Sequence, residues 1–266
     1  MNPVSQMNTT LITGASSGIG EVFARKLAAR GDNLLLVARS EDRLINLCNE
    51  LGRSGSSRAQ YVAMDLSEPN APARLFEETQ KRELEIDLLI NNAGFGSMGD
   101  FATLDRELEL NMIALNVRSL VELTHRFLVP MRERKSGSII NVASTAGFQA
   151  VPFMATYAAT KAFVLSFSEA LWEENRPFGI KVMALCPGVT STNFFEASKM
   201  LRPPARIAQT PEAVVDAALR GLARGKASTI SGWTNFMMIE SERLVPRSLI
   251  VRIAGTMLRK SVGNKE

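Results

Sequence analysis

The stretch Thr9-Thr-Leu-Ile-Thr-Gly-Ala-Ser-Ser-Gly-Ile-Gly20 decides how the rest of the chain is read. Its first five residues are β-branched or apolar and uncharged, as a strand covered on both faces requires. Glycines follow at positions 14, 18 and 20, and then a helical pattern, EVFARKLAARG, that stops at Gly31. In such a strand-to-helix turn the glycines let the backbone bend sharply and approach a pyrophosphate. The helix N-terminus supplies unpaired N–H groups and positive dipole potential. Gly14, Ser16, Ser17, Gly18, Ile19 and Gly20 are therefore candidate cofactor residues. The spacing is GxxxGxG, which departs from GxGxxG, and a plain structural turn is the competing reading; a following βαβ unit is what discriminates.

Runs of the same kind recur downstream: NLLLVAR (33–39), AQYVAMD (59–65), LLINNAG (88–94), SIINVAS (138–144) and KVMALCPG (181–188). The spacers between them are helical in pattern and long enough for crossovers. This alternation predicts an α/β fold, a doubly wound parallel β-sheet in a single three-layer domain. A short seventh strand fits 227–231. Between Thr103 and Arg134 the pattern stays helical for some 30 residues, and Pro130 is expected to end or kink that helix. The catalytic body is assigned to 1–242 and an extension to 243–266.

Composition narrows the class. The chain has 266 residues, 45% of them hydrophobic and 22% charged, which excludes a disordered chain, a collagen-like fibre and a disulfide scaffold. Cys48 and Cys186 stand far apart with no CxxC or Cys/His spacing, so no metal site is expected. A cytoplasmic location follows as an expectation from the cysteine usage and from a leaderless Met1–Thr10. The longest charge-free stretch, 136–160, is interrupted by Asn, Gln, Ser, Thr and Pro and makes a poor membrane span. The net charge of +4 is uneven: the segment from Arg243 onward carries +5, and everything before it sums to −1. The body therefore offers no basic excess for nucleic acid, and no nucleic-acid partner is expected.

Several side chains carry candidate chemistry. At the end of the second run, Arg39 stands where an acidic residue would hold the ribose 2′-hydroxyl of NAD. A guanidinium there suits a 2′-phosphate, which favours NADP(H), with NAD(H) as the alternative and a simple surface arginine as the bland reading. Asp65, next to Leu66, either accepts from the adenine amino group or caps the next helix. Tyr157 and Lys161 are four apart in ATYAATKAF and share one helix face. A phenol titrates near 10, and a nearby ammonium favours its anion; lowering it by about three units takes roughly 4 kcal/mol of differential stabilisation. A surface Tyr/Lys pair is the alternative. Ser144, thirteen residues upstream, is placed to donate to the same substrate oxygen. Asn116 stands mid-helix, where Asn is a poor helix former. His125, the only histidine, lies in a charged stretch and reads as structural, and Cys186 as a small buried hydrophobe.

These residues together resemble the short-chain dehydrogenase/reductase family. The resemblance runs from about residue 9 to 192: TGASSGIG at 13–20, NNAG at 91–94, Asn116, Ser144, Tyr157-x-x-x-Lys161, and Pro187-Gly188 with Thr192, in that order. It implies a Rossmann-like oxidoreductase that binds NAD(P)(H) and interconverts a carbonyl and an alcohol. By that resemblance Tyr157 is the general acid/base, Lys161 lowers its pKa and binds the nicotinamide ribose, Ser144 holds the substrate oxygen, and Asn116 anchors a water in a proton relay. Pro187, Gly188, Thr190 and Thr192 contact the nicotinamide end, and Asn91, Asn92, Ala93 and Gly94 support the adjoining ribose. The resemblance also favours a homo-dimer or homo-tetramer.

At the substrate end, Phe194, Phe195, Met200 and Leu201 fall in a segment, about 190–212, that the family uses as a lid. With Phe148 to Met154 they suggest a pocket for a small hydrophobic carbonyl or alcohol, ordinary core packing being the alternative. In the extension, Leu249, Ile250, Ile253, Ala254, Met257 and Leu258 are expected along one side of a helix, with Arg252, Thr256 and Arg259 opposite. Three readings stay open for it: packing on the body or a second subunit, a peripheral membrane contact, or a loose tail. A dinucleotide-binding regulator without turnover, and a membrane-peripheral reductase of lipid-like substrates, are the rival functions.

Overall fold

Every apolar run named above becomes a strand. The structure, a computed structural model, describes residues 9–53, 58–192, 194 and 208–262. Its strands are β1 (Thr9–Thr13), β2 (Asn33–Ala38), β3 (Ala59–Ala63), β4 (Ile86–Asn91), β5 (Ser138–Val142), β6 (Lys181–Cys186) and β7 (Ser228–Ile230). They form one sheet in the order β3-β2-β1-β4-β5-β6-β7, and every pairing is parallel. The chain runs outward from β1 to β3, returns to place β4 beside β1, and then proceeds to β7. The reversal opens a crevice at the carboxyl ends of β1 and β4.

Period-two side chains divide between two helical layers. Leu34 and Leu36 of β2 join a core with Phe23 and Leu27 of α1 (Gly18–Ala28), Leu44 of α2 (Glu41–Gly52) and Val214 and Ala218 of a helix over Pro211–Ala223. Leu35 and Val37 face the opposite layer, made by Leu75 of α3 (Ala71–Lys81) and Leu123, Phe127 and Met131 of a helix over Leu120–Arg134. This explains why the runs are apolar throughout instead of alternating. β3 and β7 lie at the sheet edges and are only half-buried. Gly31 ends the first helix as expected, its N–H bonding the Ala28 carbonyl at 2.9 Å with φ of +89°.

The long helical stretch is not one helix. It divides into α4 (Arg106–Ile113), a π-helical turn (Ala114–Ser119) and α5 (Leu120–Arg134). Asp105 starts α4 by accepting from the Glu107 and Leu108 backbone N–H groups, so Thr103 lies before the helix. Contrary to expectation, Pro130 does not end α5; the helix continues to Arg134 and closes with left-handed Lys135, φ +54°. A proline costs such a helix about 3 kcal/mol. The buried Leu123, Phe127, Leu128 and Met131, at about 1.5–3 kcal/mol each, outweigh that cost.

The remaining helices are α6 (Ala155–Asn175), α7 (Pro211–Ala223), α8 (Trp233–Glu242) and α9 (Arg247–Val262). α8 was not anticipated from sequence. In α9 the expected single apolar side is split in two. Ile250, Ala254 and Leu258 are half-buried beside a fully buried Gly255, whereas Leu249, Ile253 and Met257 are 48%, 47% and 69% exposed. The expected lid is only partly visible, because Phe195, Met200 and Leu201 lie outside the described residues. Its base is visible: Thr190 and Gln209 form a parallel bridge, with Gln209 N–H bonding the Val189 carbonyl at 2.8 Å.

Candidate active site

A cavity of about 830 Å³ opens at the carboxyl ends of the strands. Its floor is the β1–α1 turn. Gly14 sits at φ +65°, and a Cβ on Gly20 would fall 2.3 Å from the Gly14 carbonyl oxygen, so only glycine lets α1 seat this closely on the strand end. Ser17 precedes α1 without bonding its first turn through its side chain, which leaves N–H groups of that turn for a ligand. From the other half of the sheet, Asn92 Nδ2 donates to the carbonyls of Thr13 (2.9 Å) and Gly14 (3.1 Å). Thr13 Oγ1 accepts from the N–H groups of Asn92 and Ala93, both at 2.9 Å.

Almost all of the sequence-predicted cofactor residues line this cavity: Gly14, Ser16, Ser17, Gly18, Ile19, Arg39, Asp65, Leu66, Asn92, Ala93, Gly94, Tyr157, Lys161, Pro187, Gly188, Thr190 and Thr192. Gly20 lies behind the wall as a packing residue. Asn91 is in the core, where its amide donates to Thr124 Oγ1 and Asn141 Oδ1; it braces β4 against β5 and α5. Asp65 does not cap the next helix, since α3 starts from Asn70. Asp65 accepts instead from the Ser67 N–H (2.9 Å) and Oγ (2.6 Å), and Arg39 lies 3.7 Å away. Burial alone would raise the Asp65 carboxyl, but these hydrogen bonds and the Arg39 charge hold it below its ordinary value. Arg43, one turn into α2, also lines the cavity near Arg39. Sequence reading missed it, although its place four residues after Arg39 was the available signal.

Tyr157 and Lys161 lie on the first turns of α6 and are buried, at 8% and 5% exposure. Ser144, at the end of β5, has extended backbone and lines the cavity beside them. The expected lowering of the phenol counts on cofactor charge as well as on Lys161, and the protein's own groups leave it raised. Burial pushes the Tyr157 phenol up to about 12, opposed by its hydrogen bond with Ser144. The Lys161 ammonium does not point at the phenol; it donates to the Val142 carbonyl at 2.8 Å and lies 5.8 Å from the centre of the Tyr157 ring. Its own burial lowers it to about 8, offset slightly by Cys186 beneath it. In this state the phenol is a neutral acid. Cys186 itself is fully buried, its thiol pushed up by burial, and His125 is exposed on α5.

Asn116 lies in the π-helical turn, 1% exposed and outside the cavity wall. Its amide clasps Phe95, donating to that carbonyl at 2.9 Å and accepting from that N–H at 3.2 Å, and it donates to Thr160 Oγ1 at 3.2 Å. Thr160 in turn donates to the Tyr157 carbonyl at 2.7 Å. The π-turn thus ties the loop after β4 to the helix that carries Tyr157 and Lys161, a local geometry often found at functional sites. Of the suggested substrate residues, Met154 and Phe194 line the cavity, and the rings of Phe194 and Tyr157 stand 5.6 Å apart. Phe148 packs into the core between α6 and β6.

A family model described as short chain dehydrogenase matches residues 8–201. Among curated relatives, the ketoacyl reductase HetN of Nostoc is 32% identical over 215 residues, 80% of this chain and 75% of that protein. A very-long-chain 3-oxoacyl-CoA reductase of Macaca fascicularis is 33% identical over 217 residues, 79% and 67% of the two chains. Among solved structures, a short-chain dehydrogenase from Sphingobium yanoikuyae in complex with NADPH superposes with a TM-score of 0.81 at 33% identity, covering 90% of this chain and 94% of that one. A 7β-hydroxysteroid dehydrogenase reaches 0.85 at 28% identity over 93% and 96%.

The buried lysine carries a stability signature. Because the folded state holds Lys161 at about 8 instead of the usual 10.5, its charge costs the folded state fully below pH 8, and the cost fades as pH rises from 8 toward 10.5. Stability should therefore rise across that window by roughly 2–3 kcal/mol from this group. Denaturant melts between pH 7 and 10 should show the rise in the wild type and its loss in Lys161→Met. Tyr157 opposes it above about pH 10 and the buried Cys186 thiol above about pH 9, both being raised by burial, so the difference between wild type and Lys161→Met isolates the lysine.

Proposed function

The chain belongs to the short-chain dehydrogenases, oxidoreductases acting on CH–OH and ketone groups, and from that membership we propose an NADP(H)-dependent reductase of a hydrophobic ketone or aldehyde. The observation that carries the reading is the buried Tyr157 phenol, one helical turn from Lys161, with both residues and Ser144 lining the same cavity. The cavity residues fit a dinucleotide: first-turn N–H groups of α1 for the pyrophosphate, Asp65 for the adenine amino group, Arg39 and Arg43 for a 2′-phosphate, and Lys161 for the nicotinamide ribose. The neighbour from Sphingobium, solved with NADPH, supports that fit. A bound reduced nicotinamide supplies the hydride.

The chain's own residues handle the proton. The Ser144 hydroxyl donates to the carbonyl oxygen and polarises it. Tyr157 Oη, protonated at neutral pH, delivers its proton to that oxygen as negative charge develops. Lys161 then offsets the phenolate charge in a site of low dielectric, and Asn116 holds the Phe95 loop and α6 in register for a water relay to solvent. A phenol pushed up by burial is protonated at neutral pH, the form that the reduction direction uses as a proton donor. The ketoacyl and 3-oxoacyl reductase relatives and the apolar Met98, Met154 and Phe194 in the wall support an acyl-like or similarly apolar substrate. Leu110, Ile113, Val129 and Phe163, exposed on α4, α5 and α6, support a homo-dimer or homo-tetramer through these helices.

The outward stripe of α9 favours a second, compatible reading, peripheral contact with an anionic membrane. Leu249, Ile253 and Met257 are exposed on a segment carrying +5. No helix among the described residues is long and apolar enough to cross a membrane, so such contact would be at the surface.

Three measurements test these readings. Tyr157→Phe should lower carbonyl turnover by about 10²–10⁴-fold while NADPH binding persists; unchanged turnover overturns the assignment. Replacing Arg39 by Asp and Arg43 by Ala should shift the NADPH-over-NADH preference in kcat/KM by more than about tenfold, the worth of one charge-assisted contact; an unaltered ratio rejects the cofactor choice. Co-sedimentation with anionic vesicles should fall when Ile253 and Met257 become Asp, and equal sedimentation dismisses the membrane reading.

A further inference from the structure

The carboxyl-terminal helix is part of the cavity. Leu258 of α9 lines the same space as Tyr157, Met154 and Phe194, although α9 lies beyond the segment, residues 8–201, that matches the family model. α9 reaches that position over the turn Val151–Met154. The turn closes through a hydrogen bond from the Met154 N–H to the Val151 carbonyl at 3.1 Å, and its third residue, Phe153, adopts φ +65°. That conformation normally calls for glycine. The strained residue is held from one side, where the Gly99 N–H donates to its carbonyl at 2.9 Å. From the other side α9 lies on Pro152: Gly255 is buried, and a Cβ there would stand 3.4 Å from Pro152 Cγ. Alanine at 255 would sit in ordinary contact, but any longer side chain would lift the helix and carry Leu258 outward.

We propose that the part of the cavity beside Leu258, where α9 packed on the Val151–Met154 turn adds to its wall, is an apolar subsite, walled by Leu258, Met154 and Phe194, that takes the hydrocarbon part of the substrate distal to the reacting carbonyl. Gly255 is the positioning residue that lets α9 close it, and Leu258 sets how long a chain it accepts. The ligand class is a linear or otherwise flexible hydrocarbon bearing a ketone or aldehyde, so the proposal rests on the reductase reading given above. Its wall consists of hydrocarbon side chains that hydrate poorly, and each methylene moved into it from water is favourable by about 0.8 kcal/mol. That corresponds to about fourfold in affinity.

The test is a ladder of alkan-2-ones from butan-2-one to dodecan-2-one, titrated calorimetrically into the full chain saturated with NADP⁺, so that no turnover is needed. Affinity should rise about fourfold per added CH₂ and then level off. Leu258→Trp should bring the plateau to shorter chains, and Leu258→Ala should move it to longer ones. Gly255→Leu should flatten the ladder while Gly255→Ala keeps it. Affinity independent of chain length, or a ladder insensitive to both positions, overturns the subsite. Kinetics with NADPH on the same ketones separates the two claims: a ladder in binding without reduction of any member sinks the reductase reading and leaves the subsite standing.

Discussion

The active end depends on one close approach, between the β1–α1 turn and the end of β4. Gly20 lies so near the Gly14 carbonyl that a Cβ would overlap it, and Asn92 crosses from the neighbouring strand to bond the Thr13 and Gly14 carbonyls. These two carbonyls lie at the end of β1, where strand order reverses. Asn92 satisfies them, and Thr13 Oγ1 returns the favour to the Asn92 and Ala93 N–H groups. The halves of the sheet are thereby pinned at the point where a ligand would lie across both. Without that pin the crevice would be a gap between two βαβ units instead of a shaped cavity.

Much of this was legible in sequence because the governing signals are local. Six apolar runs with glycine or polar ends specify parallel strands whatever their neighbours do, and the candidates at the strand ends arrived at the cavity, Asn91 excepted, which turned into the core. The misses have non-local causes. Asn116 was flagged as an awkward mid-helix residue, but the π-turn that resolves the awkwardness depends on Phe95 and Thr160, far away in sequence. Propensity predicts that Pro130 ends or kinks the helix; the helix runs on to Arg134 because the packing of Leu123, Phe127 and Met131 carries it past the proline. Arg43 has no strand-end signature of its own. Its one mark in sequence is its place four residues after Arg39, and its role emerges once both are seen to line the same cavity.

The phenol shows where a motif and its physics part. An adjacent lysine suggests a phenol lowered toward neutrality, yet in this structure desolvation dominates, because Tyr157 and Lys161 are both nearly excluded from water. Desolvation acts on the two in opposite senses, raising the acid and lowering the ammonium. Lys161 answers by bonding the Val142 carbonyl, which keeps its charge solvated by the backbone and leaves the phenol protonated. Burial thus favours the neutral form of each group.

The extension follows the same logic of competing local and tertiary terms. Gly255 weakens an isolated helix by about 1 kcal/mol, and on sequence alone it counts against α9. Placed against Pro152, the missing side chain is what brings the two backbones together, and the helix gains burial of Ile250, Ala254 and Leu258 in exchange. Those residues occupy one stripe, so Leu249, Ile253 and Met257, a further third of the helix surface, are left facing out with the arginines. A second copy seated on this stripe by a two-fold axis would bring two +5 segments together, which costs electrostatic energy at physiological ionic strength. An anionic surface would meet the same stripe with the opposite sign, and the exposed Leu249, Ile253 and Met257 would take that contact without using Leu258, which lines the cavity.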